Sequence, residues 1–158
     1  MAEHVWSVLC YRASVDKVTN NISLLHVIEQ LHLPYSEDWL WERVRSSGSE
    51  GISSSMELVS YWVRSDFDEP ESSTMRARLI LPNGESRPTD PVSIGLNEHK
   101  SSRNRLQLAG ISFGGFGVYW FAIEEEVGDE WVERSRVPLE VLQQEVADAP
   151  ESEGDPEQ

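Results

Sequence analysis

Cysteine is nearly absent from this sequence: Cys10 stands alone among 158 residues. A single thiol excludes an internal disulfide, and with it the stapled scaffolds of small secreted domains, and it suits a reducing compartment. Long apolar runs are missing too. No stretch approaches the roughly 18 apolar residues that cross a bilayer as a helix. The opening MAEHVWSVLCYR has neither the basic start nor the apolar block of a secretory signal. The expectation is a soluble, cytoplasmic protein with no membrane partner. Positive charge is scarce: 13 Lys and Arg stand against 28 Asp and Glu, a formal net charge of −15. A field of that sign repels a phosphate backbone and disfavours general nucleic-acid binding.

What is present is a series of short strand patterns separated by turn residues. HVWSVLCYRAS (4–14) is apolar on both faces, as in a strand in the middle of a sheet. VDKVTNN ends in Asn20 and Asn21, which tolerate positive φ and predict a turn. ISLLHVIEQLHL then reads as the hairpin partner of the first strand. Ser36, followed by Glu37 and Asp38 and later by Arg43 and Arg45, predicts a short amphipathic helix near 36–46 with Trp39 packing inward. MELVSYWVRSD is a strand with aromatic residues on both faces. In MRARLILPNGES, Ala77, Leu79 and Leu81 alternate with Arg76 and Arg78, and PNGE (82–85) is a tight-turn signal. A polar, basic loop over 97–105 leads into RLQLAGISF.

The run GISFGGFGVYWFAIEEE (110–126) poses a choice between a phosphate-binding loop and a turn. A phosphate loop needs a helix after it, so that free backbone N–H groups and the helix dipole face the anion. Here Tyr119, Phe121 and Ile123 alternate with Val118, Trp120 and Ala122, which is a strand. The glycines therefore read as a turn that needs positive φ and close backbone approach. EEEVGDEW turns into a last strand, WVERSRVPLEV, and LEVLQQEVAD extends it or adds a short helix. Seven or eight short strands with one or two short helices predict an all-β, mainly antiparallel fold: a single immunoglobulin-like or C2-like β-sandwich. That sandwich is expected to span 1–145. Residues 146–158 read as a disordered acidic tail, since 147–158 hold Asp148, Glu151, Glu153, Asp155 and Glu157 and no large apolar residue.

Chemistry-bearing residues are present but scattered. His4, His26, His32 and His99 fit neither of the zinc-ligand spacings considered, HxH on a strand face and HExxH on a helix. Cys10 among Val8, Leu9 and Tyr11 reads as a buried apolar residue, not as a nucleophile partnered by His26. The acids Glu124, Glu125 and Glu126, and Asp66, Asp68 and Glu69, read as solvated rims. Asp66, Asp68, Glu69 and Asp129 are the residues considered for calcium. No cofactor is indicated, and the chain reads as a non-enzyme.

Two groups remain as candidate binding residues. The six tryptophans exceed what one small core takes. If Val59, Tyr61 and Val63 face the core, Trp62 and Trp120 lie on an outer apolar surface with Trp41 and Trp131 nearby, and such surfaces mark interfaces. The alternative is a second small core under the 36–46 helix. The other group is a basic loop: Lys100, Arg103 and Arg105, with Arg87. The expected function is a non-enzymatic interaction or accessory module that binds a partner protein through an aromatic sheet face or an open edge. The alternative is a sandwich whose tryptophans stack on a sugar or nucleotide.

Three blocks, VWSVLCYRASVDKVTNNISLLHVIEQL, LVSYWVRSDFDEPESSTMRARLILPNGES and LQLAGISFGGFGVYWFAIEEEVGDEWVERSRVPLEV, resemble in their order an uncharacterised family of small bacterial proteins, a domain of unknown function. The matching features are Ser23-Leu24, the acidic turn Asp68 to Glu71, the hairpin Pro82 to Gly84, and Gly117 to Phe121. They span most of 4–141. The resemblance implies a single sandwich and a bacterial origin, and no catalytic residues.

Overall fold

The computed structural model describes residues 1–47 and 52–145. The expectation of a disordered tail over 146–158 lies outside the described residues. The elements are, in order, β1 (Glu3–Val15), β2 (Ile22–Val27), β3 (Gln30–Leu33), α1 (Glu37–Ser47), β4 (Ile52–Val63), β5 (Thr74–Ile80), β6 (Ser86–Pro88), β7 (Val92–Ser93), β8 (Ser101–Ile111), β9 (Gly117–Val127) and β10 (Glu130–Gln143). They form two sheets. The four-stranded sheet has the order β2-β1-β4-β8. The six-stranded sheet runs β3-β10-β9-β5-β6, with β7 also on β5. Every pairing is antiparallel except β3 against β10. The sheets pack face to face over one main core that includes Leu9, Leu58, Trp62, Met75, Tyr119 and Ile123. This is the predicted all-β sandwich. It has ten strands because β3, β6 and β7 are only two to four residues long, too short to show a period.

Local chemistry sets the connections. Asn20 sits at φ 58, and Asp16 closes its turn by accepting the backbone N–H groups of Val18 and Thr19. The run 22–33 is two strands, not one. His26 adopts φ 50, and the chain then crosses from one sheet to the other, tied by Ile28 N–H to Leu9 O and by Glu140 N–H to Glu29 O. At PNGE, Gly84 takes φ 90 in the β5–β6 turn.

Helix α1 starts where Ser36 accepts the Trp39 N–H on its hydroxyl. Leu40, Trp41 and Val44 share the face that packs on the core. Trp39, expected inside, is 41% exposed and stacks on Tyr35 at 4.3 Å. One position decides this, because Leu40 and Trp41 compete with Trp39 for the same buried side.

The glycine-rich run is a turn. Gly114 N–H donates to the Tyr119 hydroxyl, which donates in turn to Gly115 O, both at 2.8 Å. A Cβ on Gly114 would lie 2.6 Å from that of Leu81, so only glycine fits there. Tyr119 thus ties the strand back to its own entry, as tyrosines do in immunoglobulin-type corners. Burial pushes its phenol up to about 12 against the pull of the Gly114 hydrogen bond. Tyr119→Phe leaves a buried N–H unpaired, and chemical denaturation is expected to show a loss of about 1–3 kcal/mol. An unchanged midpoint would refute the corner's role.

Candidate functional site

The tryptophans do not converge. Trp62 is fully buried between the sheets, beside His4 in an edge-to-face contact at 4.9 Å. This corrects the expectation of an outer position. Met56, Leu58 and Trp62 face the core, while Val59 and Tyr61 face outward. Strand β4 is apolar on both faces, so alternation alone carried no parity. Val59 instead joins Cys10 and Ala13 in a small second cluster under Trp6, Ile22 and Leu24. That second core therefore lies on the four-stranded sheet and not under the helix. Trp41 is taken up by packing against Phe113 at 5.0 Å.

Trp120 and Trp131 do lie on the outer face of the six-stranded sheet. Trp120 pairs with Pro138 and Trp131 with Glu126, six residues apart on β9. That is roughly 20 Å along a strand. An ionic ladder fills the gap. Arg76 stacks on Trp131 at 4.3 Å, and the Nε atoms of Arg76 and Arg78 each reach Glu124 at 2.7 Å. Arg78 and Arg136 share Glu133. Half-buried and separated, the two rings make no continuous aromatic patch.

The acids at 124–126 are another correction. Glu124 and Glu125 are buried, and only Glu126 is exposed. Buried carboxylates need partners. Burial pushes Glu124 upward, but hydrogen bonds from Arg78 and Arg76 outweigh it and hold its carboxyl below the usual range. Glu125 accepts the Ala2 N–H and the Ser73 hydroxyl and lies 3.4 Å from Arg134. These acids anchor strands and leave no catalytic pair. Cys10 is fully buried, and burial and the Glu57 charge raise its thiol pKa, which makes it a poor nucleophile.

Asp66, Asp68 and Glu69 follow β4, and Asp129 lies in the β9–β10 turn. Among the described residues no three His, Cys, Asp or Glu side chains converge as a metal site. No helix among them is long and apolar enough to cross a membrane.

The basic residues do come together, on a strand. Arg103 and Arg105 belong to β8, and only Lys100 lies in the preceding loop, near Asp68. Being two apart, both arginines project from the same face of the four-stranded sheet. Arg103 holds Asn20 through its carbonyl and side chain. Arg105 donates to Ala13 O and to the buried Glu57, which also accepts from Ala13 N–H and Gln107. Burial raises the Glu57 pKa, but these bonds more than offset it and leave it low. Beside this network lies a hollow of about 820 Å³ edged by Arg12, Arg105, Gln107 and Ala109. Arg12 is exposed. A second hollow of about 590 Å³ continues past Arg103 and Arg105 to Lys100.

Strand β8 is also an edge: β4 flanks it on one side, and among the described residues no strand flanks it on the other. It has 11 residues, whereas the other edge strands have two to six. Asn104 reaches across to Ser93 O, which partly closes the first half. In the second half, 107–111 border a third hollow of about 390 Å³ between the sheets. Its walls include Leu108, Ala77, Leu79 and Phe121, with Arg87 and Thr89 on the far rim. The sequence signal for this site was the two-residue spacing of Arg103 and Arg105. Arg12, Gln107 and Ala109 carried no signal, because only the sheet pairing brings them beside it.

No family model, curated protein or solved structure matches the chain. The family resemblance rests on the quoted residues alone.

Proposed function

We propose that the chain is a binding module, not a catalyst, and that it takes an extended segment of a partner protein along the open edge of β8. The length of that edge supports the reading. Native sandwiches keep edge strands short or covered, because unpaired N–H and C=O groups template another strand. Here the exposed edge borders hollows on both of its sides, so an added strand finds main-chain partners and places for its side chains. The aromatic-face reading has less support, since Trp120 and Trp131 stand apart.

Main-chain pairing has its own test. Peptides selected for binding from a random library are N-methylated at alternate positions in the two possible registers. Methylation in one register is expected to weaken binding by about tenfold or more, and in the other to leave it unchanged. Binding indifferent to both registers, or no selected peptide at all, contradicts the reading.

A further inference from the structure

We infer that the segment taken at this edge alternates acidic and apolar residues. This rests on the edge-binding reading above. A strand added to β8 sends successive side chains to opposite faces. On one face they meet Arg103, Arg105 and Gln107, with Arg12 across the larger hollow. On the other they meet the hollow between the sheets, where Leu108, Ala77, Leu79 and Phe121 give an apolar lining and Arg87 and Thr89 a polar one. The first face calls for carboxylates and the second for apolar side chains.

The net charge of −15 opposes an acidic partner only at a distance. At physiological salt the field of a charge is screened over about 8 Å, so the nearest charges decide the contact. Of the nearby carboxylates, Glu57 is buried and already held by Arg105, and Glu98 is exposed on the hollow that Lys100 and Arg103 line. Arg105 keeps further N–H donors, and its side chain is 37% exposed.

Two other occupants fit less well. A second copy paired edge to edge brings β8 itself, SSRNRLQLAGI, which holds no carboxylate to set against Arg103 and Arg105. The chain's own residues 147–158 are acidic but hold no large apolar side chain, and Pro150 and Pro156 lack the N–H that strand pairing needs.

The test is fluorescence anisotropy with labelled synthetic peptides of about eight residues in which Glu alternates with Val, Lys with Val, or Glu with Ser. The Glu/Val peptide is expected to bind the full chain about tenfold or more tighter than the other two, and to weaken as salt rises. Arg12→Glu with Arg103→Glu, which leaves the Arg105–Glu57 pair in place, should reverse the Glu/Lys preference, with the melting temperature measured alongside. Should that pair fail to fold, Arg12→Glu alone should narrow the preference. Removal of residues 146–158 should leave the affinity unchanged.

A preference for Lys/Val, or equal binding of Glu/Ser, overturns the chemistry while leaving edge binding intact. No binding by any of the three, while library-selected peptides bind, does the same. Failure of every peptide overturns both readings. A gain of about tenfold on removing the tail, or dimers that vanish in the arginine variants, assigns the edge to the tail or to a second copy and overturns the proposal.

Discussion

Trp62→Ala lowers the melting temperature by roughly 6–20 °C. The indole is fully buried between the sheets. Large-to-small changes at such sites cost about 3–5 kcal/mol, and each kcal/mol shifts the midpoint of a protein this size by roughly 2–4 °C. Trp62→Phe separates packing from polarity. The Trp62 Nε1 meets no acceptor among the described residues. Phenylalanine removes that donor and keeps most of the volume, so it should recover the larger part of the loss. A Trp62→Ala variant that melts like the parent would place the indole outside and invert the parity of β4.

Glu124→Ala is the second large effect. It strips one carboxylate from two arginines whose side chains are only 22% and 28% exposed. Removing one member of a buried ion pair costs about 3–5 kcal/mol, and the partial exposure of these arginines places the loss near the lower bound. Glu124→Gln keeps the shape and abolishes the titration. The pH dependence follows from Glu57, Glu71 and Glu124, whose folded carboxyls sit below the usual value; at Glu71 burial pushes upward, but hydrogen bonds from Ser65 and the N-terminal ammonium outweigh it. Their contribution is complete above the unfolded pKa of about 4.3, and it is lost as pH falls through the lower folded values. Burial and Arg134 lower the pKa of His4, which opposes its protonation and adds a loss of the same sign as pH falls below about 6.5. Denaturation midpoints from pH 7 downward should fall steeply in acid, and less steeply for Glu124→Gln. Parallel curves for the two proteins would contradict the assignment.

The fold was legible where the chemistry is local. Asn20, Ser36, Gly84 and the alternation of 75–81 each do in the structure what their side chains dictate. Legibility failed where two faces compete. Strand β4 carries apolar residues on both, so Trp62 and Val59 exchanged places, and the same ambiguity put Trp39 inside instead of Leu40. It failed again where burial of charge depends on distant strands: nothing near Glu124 in sequence announces Arg76 and Arg78. The candidate site was half legible. Arg103 and Arg105 stood out, but the sequence placed them in a loop. That β8 is an edge follows from pairing over long separations, as in Val59 against Arg105, which no local pattern encodes.

The most direct measurement is a backbone-amide NMR titration of the full chain with the Glu/Val peptide. The account predicts saturable shifts in 103–111 and at Arg12, together with slowed amide exchange along 105–111. Saturable shifts confined to Trp120 and Trp131 on the opposite sheet, with β8 untouched, would contradict it.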